Sequence, residues 1–172
     1  MELLFLPPSL RALDEAPAEV LCACLFEDER PPQGVVGLAS WRLAGRFDRL
    51  IETGFLTGAR GEVMLVPGRP RLACDKVLLF GMGARAEFGD DAFDDVTLRI
   101  LHTLRGLECR AAIVELPGRH ADAMAPERAA DRFLAAVGRE GGFDRLTLVE
   151  EGAAQKRINE HVIEARRRVR KW

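Results

Sequence analysis

The sequence predicts an α/β fold, a three-layer α/β/α sandwich on a mixed, mostly parallel sheet. Three observations point there. Short apolar runs that read as strands alternate with longer amphipathic segments that read as helices, most regularly from residue 76 to residue 149. One run, "VLCACLF" (20–26), is apolar on both faces, as in a strand covered from both sides. Finally, "EVMLV" (62–66) and "KVLLF" (76–80) are separated by only nine residues, "PGRPRLACD". A parallel crossover needs about a dozen or more, so this pair is expected to run antiparallel.

Taken in order, "ELLFL" (2–6) is the first strand and 20–26 the second, followed by the proline-broken loop "EDERPPQG". Across "VVGLASWRLAGRFDRLIETG", Val36, Leu43, Phe47, Leu50 and Ile51 share one stripe, which predicts a single helix ended by a left-handed cap at Gly54. After the antiparallel pair, Phe93, Val96, Ile100, Leu104 and Leu107 make an amphipathic helix, "AAIVEL" (111–116) a strand, Ala130, Phe133, Leu134 and Val137 a helix, and "LTLV" (146–149) a strand. These are two βαβ units, whose crossovers should be right-handed and whose strands should be parallel. A last helix from about Ala153 carries Ile158, Val162, Ala165, Val169 and Trp172 at helical spacing. An apolar seam there is expected to pack on something.

At 172 residues the chain suits one domain: residues 1–152 form the α/β unit, and 153–172 a basic amphipathic helix packed on it or extending from it. With 48% apolar and 30% charged residues, it has a soluble globular composition, and no apolar run is long enough for a bilayer. Glu2, Pro7 and Pro8 disfavour a signal peptide, so a cytoplasmic location is expected. Cys22, Cys24, Cys74 and Cys109 form no CxxC pair and read as reduced core thiols. Cys22 and Cys24 point to one strand face, but a tetrahedral metal needs two more ligands, and none follows at a recognisable spacing. No metal or cofactor is expected. A net charge of −2 gives no global attraction to nucleic acid or an anionic membrane. Residues 155–172 are the exception, with seven Lys or Arg against two Glu. They read as a solvated helix face, or alternatively as a polyanion contact.

The stretch "CDKVLLFGMGARAEFGDDAF" (74–93) poses the main functional question. Its "GMGARA" fits the letters of a dinucleotide loop. The helix, however, begins only near Asp90, behind "EFGDD", and Asp90, Asp91, Asp94 and Asp95 in its first turns would repel a phosphate. A strand-to-helix turn is the better reading. "DDAFDD" also resembles the aspartate-rich magnesium motif of prenyl-transferring enzymes, but the second acidic cluster and the all-helical cavity are missing. Two proline-glycine turns, "VPGRPR" (66–71) and "LPGRHA" (116–121), follow strands. Ligands of open α/β sheets bind outside the carboxyl ends of parallel strands. Gly81, Gly83, Arg85, Arg119 and His120 are therefore the candidate ligand-binding residues, with the three cations converging on an anion. Ser9 and Ser40, the only serines, lack a nucleophile-elbow setting, and His102, His120 and His161 lie in separate elements, so no catalytic residue is assigned.

"WRLAGRFDRLIETGFLTGARGEVMLVPG" and then "KVLLFGMGARAEF" before an amphipathic helix resemble the N-terminal domain of the M17 leucyl aminopeptidases. The matching pieces are Gly58 to Glu62, a G-x-x-G-E exit into a strand, and Val77 to Phe88. The resemblance covers roughly residues 2–150 and implies a macro-domain-like sandwich. In that family the two-metal centre belongs to a C-terminal domain marked by "NTDAEGRL", which does not occur here. The resemblance thus implies a non-catalytic domain acting in binding or assembly, without peptidase activity. It also implies that 153–172 stands where a domain-linking helix would be, so that self-association or docking through Ile158, Val162, Val169 and Trp172 is expected. Alternatives are an ADP-ribose-like nucleotide or other anion at the strand ends, although the macro-domain phosphate loop is missing, and DNA contact through the basic helix.

Overall fold

The run that is apolar on both faces lies inside the sheet. In the computed structural model, which describes residues 1–169 and side chains through residue 163, it forms β2 (Ala18–Leu25). Val20, Cys22 and Cys24 face one core, while Leu21, Ala23 and Leu25 face the other. The remaining strands are β1 (Glu2–Leu6), β3 (Val63–Pro67), β4 (Cys74–Gly81), β5 (Ala111–Glu115) and β6 (Arg145–Val149). The six-stranded order is β1-β6-β5-β2-β4-β3. All neighbours pair in parallel except β3 and β4, which are antiparallel, as the short connection requires. Sequence pattern did not reveal that β2 inserts between β4 and β5, or that β1 pairs with β6.

On one face, α4 (Asp90–Gly106) and α5 (Pro126–Glu140) bury Phe93, Val96, Ile100, Leu104, Phe133 and Val137. The opposite face is covered by α1 (Leu10–Glu15), α2 (Gly34–Arg42) and α3 (Arg46–Glu52), which bury Leu13, Val36, Phe47 and Ile51. The single helix expected over 36–54 is two. Ala44 (φ 58°) and Gly45 (φ 74°) turn the chain through the left-handed region. The buried Ser40 hydroxyl then accepts from Phe47 N (3.2 Å) and Asp48 N (3.3 Å), capping α3 from the preceding helix. The stripe of apolar residues survives because both segments pack on the same core. The helix α1 was not read from sequence; Ser9 caps it, its hydroxyl accepting from Ala12 N at 3.2 Å.

Helix α6 (Gly152–Val169) lies on α5, where Arg157 pairs with Glu127 (2.6 Å) and His161 with Asp131 (2.7 Å). Ile158 is completely buried there, so its side chain is taken up by its own domain, whereas Val162 is partly exposed and Ile163 is 49% exposed. Trp172, and the surroundings of the Val169 side chain, lie outside the described residues, as does the side-chain environment of the basic run from residue 166. All four cysteines are free and buried. No helix among the described residues is long and apolar enough to cross a membrane.

Candidate functional site

The glycine-rich stretch is a packed turn. Gly81 N donates to Glu62 O, Met82 N to Leu25 O and Gly83 N to Gly58 O, each at 2.9 Å. A Cβ on Gly81 would stand 2.0 Å from Ala59 O, so the 58–60 segment fills the space a phosphate would need. That segment is itself tied down by Glu62, whose carboxylate accepts from Gly58 N (2.6 Å) and Thr57 N (3.0 Å). The acid of the G-x-x-G-E exit therefore has a structural task. The aspartates at the start of α4 pair with arginines: Asp90 with Arg128 and Arg132, Asp94 with Arg132, and Asp95 with Arg60.

A cleft of about 390 Å³ does lie at the carboxyl ends of β5 and β6. After β5 the chain turns at Gly118 (φ 71°) into a 3-10 turn, Arg119–Ala121, placing Arg119 and His120 in the cleft wall. Arg119 is buried and faces Glu150, just past β6, with Nε 2.8 Å from Oε1 and Nη2 3.2 Å from Oε2. Its Nη1 also donates to Met124 O at 2.7 Å and to Asp122 at 3.1 Å. Such a forked, charge-assisted set leaves little of the guanidinium for a ligand. Burial lowers the Arg119 pKa, but Glu150 and Asp122 together outweigh it and the net shift is upward. Burial raises that of Glu150, with Arg119 opposing.

His120 lies between two glutamates. Its Nε2 is 2.8 Å from Glu29 and its Nδ1 3.6 Å from Glu115 Oε1, a length beyond hydrogen bonding. Glu115, the last residue of β5, is fully enclosed and accepts from Val35 N (2.9 Å) and Cys24 N (3.0 Å). Burial pushes its carboxyl above the ordinary value, with His120 pulling the other way. Burial also pulls the His120 pKa down, but Glu29 and Glu115 overcome this and raise it. Gly34, at the start of α2, has φ 56°, and a Cβ there would meet Glu115 Oε1 at 2.4 Å. The approach of α2 to β5 thus depends on glycine at this position.

Of the five candidate residues, then, Arg119 and His120 share the cleft, while Gly81 and Gly83 pack against the 58–60 loop instead. Arg85 lies behind His120, in a recess with Asp28 and Glu29, and donates to Ala121 O at 2.6 Å. The expected convergence of three cations on one anion is not what the geometry shows, because Arg119 and His120 are each matched to buried carboxylates. Sequence reasoning missed Glu29, Gly34, Glu115 and Glu150. A readable signal existed for Glu115, an acid ending an otherwise apolar strand. Among the described residues no three His, Cys, Asp or Glu side chains gather as a metal would need. Burial pushes the Cys74 and Cys109 thiols up to about 11, which leaves them protonated and poor nucleophiles.

Solved structures similar to this fold define its class as macro-domain-like. A Trypanosoma brucei macrodomain in complex with ADP matches with TM-score 0.69 and 17% identity, over 93% of this chain and 67% of that one. A tomato leucine aminopeptidase matches with TM-score 0.67 and 10% identity, over 94% of this chain but 35% of that one. The sequence narrows the class further. Residues 24–140 match the profile of the cytosol aminopeptidase family, N-terminal domain, and the chain belongs to that family. A probable cytosol aminopeptidase of Pseudomonas fluorescens is 27% identical over 135 residues, which span 70% of this chain and 27% of the relative. The cytosol aminopeptidase of Pseudomonas aeruginosa is 31% identical over 87 residues, 18% of its length. The match thus spans about a quarter or less of these relatives.

Proposed function

We propose that this chain is a non-catalytic binding or assembly module derived from the N-terminal domain of cytosol aminopeptidases, acting in the cytoplasm. The observation that supports this reading is the mutual pairing of Arg119 with Glu150 and of His120 with Glu29 and Glu115. These groups join the ends of β5 and β6, the start of α2 and the 26–33 loop to one another, and so serve to hold a surface in shape. The α6 face bearing Val162 and exposed Ile163 supplies the contact, to a second copy or another protein. A leucyl-peptide hydrolysis assay with manganese or zinc should show no turnover; robust, metal-dependent hydrolysis would refute the reading. Sedimentation should show self-association or a complex that Ile163→Glu abolishes, and a complex indifferent to that change would displace the contact from α6.

A second reading, an ADP-ribose-like nucleotide in the strand-end cleft, is favoured by the cleft's position and by the likeness to a macrodomain that binds ADP. The carboxylates of Glu150, Glu151 and Asp122 at the cleft weigh against a diphosphate there. Calorimetry with ADP-ribose decides between them.

A further inference from the structure

At the other end of the sheet, where the β3–β4 hairpin meets the α2–α3 turn, a cleft of about 600 Å³ is lined by Arg46, Arg49, Arg69 and Arg71, with no acidic side chain in its lining. On a chain of net charge −2 this is a strong local concentration of positive charge. Two of the four are oriented by bonds to their own surroundings. Arg49 Nη1 donates to Ala44 O at 2.6 Å, and Arg69 is held by Asp75. Arg46 and Arg71 form no ion pair among the described residues. With the charge of Arg69 offset by Asp75, the guanidiniums of Arg46, Arg49 and Arg71 around one concavity repel one another until an anion enters, and each offers planar donors that match a phosphate or carboxylate edge.

The remaining wall is mostly apolar, formed by Leu43, Ala44, Leu50, Pro67 and Pro70, with Thr53 its one polar side chain. A cavity of this size fits an organic ligand rather than a lone inorganic ion. We infer that the cleft between α3 and the β3–β4 hairpin binds a multiply phosphorylated small molecule with a ring, of the nucleoside polyphosphate class, the phosphates on the arginines and the ring on the leucine-proline wall. A nucleic acid duplex is disfavoured because it presents phosphates in a row to a ridge or plane, whereas these cations surround a hollow. This site is separate from the strand-end cleft and rests on neither reading given above.

Isothermal titration calorimetry of the whole chain with ATP, inorganic tripolyphosphate and adenosine tests it. ATP is expected to bind tightest, tripolyphosphate more weakly and adenosine not measurably, with binding weakened at high salt. The double variant Arg46→Ala/Arg71→Ala should weaken ATP by at least about tenfold, since it removes two charge-assisted donors. Arg110→Gln/Arg139→Gln, which removes equal charge from elsewhere, should leave affinity within about twofold, the residual effect of screened surface charge. Circular dichroism confirms that all variants are folded. No heat with either phosphate, ATP binding that survives loss of Arg46 and Arg71, equal losses in both double variants, or binding of duplex DNA without ATP would each overturn the assignment.

Discussion

At the carboxyl ends of the parallel strands, arginine and histidine are buried and matched to glutamates; at the amino ends, arginines stand exposed around a cleft with no acid in its lining. Both ends are rich in charge, but the charge does different things. A buried pair is costly to break, because removing one partner leaves the other desolvated and alone, so it fixes geometry. An exposed cation without an ion pair, such as Arg46 or Arg71, contributes almost nothing to folding and keeps its bonding capacity for something else. The two ends therefore separate what holds this domain together from what it has free to offer.

Removing a member of the buried set should have the largest effect. Arg119→Met leaves Glu150 buried without its counter-charge and should lower unfolding free energy in urea by about 3 kcal/mol; a loss as small as that of a surface variant would erase the contrast. Next comes Gly34→Ala, where a methyl group meets the Glu115 carboxylate on a backbone of positive φ, and melting should report a loss of about 2 kcal/mol.

A pH dependence should follow. The pKa values of Glu115, Glu150 and His120 are all raised in the folded state, so folding takes up protons. The stability they confer is complete below their ordinary values, 4.5 for the glutamates and 6.5 for His120, and is lost as pH rises through the raised ones. Denaturation measured as pH rises from 4.5 to 6.5 and beyond, the ordinary values above which the raised groups titrate, should show stability declining with pH, and less steeply in Glu115→Gln. The smallest effect belongs to the other end, where Arg46→Ala/Arg71→Ala should change stability by less than about 0.5 kcal/mol, as expected of exposed side chains. A large loss there would mean these arginines are structural after all.

Much of this fold could be read from apolar periodicity, because periodicity records which faces are buried. β2, the antiparallel β3–β4 pair, α4, α5 and α6 all followed from it. Strand order did not, since the pairing of β1 with β6 and the insertion of β2 between β4 and β5 leave no local trace. The break between α2 and α3 was missed because Ala44 adopts a positive φ that alanine does not advertise, and the apolar stripe runs on regardless. At the site, Arg119 and His120 were placed beside the right strand ends. Their roles were not readable, because their partners Glu150 and Glu29 are distant in sequence and a line of residues carries no record of pairing across 31 or 91 positions. The arginine cleft was overlooked for the same reason, its walls coming from residues 43–53 and 67–71.

The pairing of β1 with β6 has a consequence for biosynthesis. Glu2 meets Arg145, and Leu6 meets Val149. During synthesis β1 has no sheet neighbour until residues 145–149 have been made, and closing a contact of that sequence separation is an entropically slow step. Until then the strand's apolar side chains lack their sheet neighbour, a natural handle for a chaperone and a place where translation products truncated before β6 should stick together.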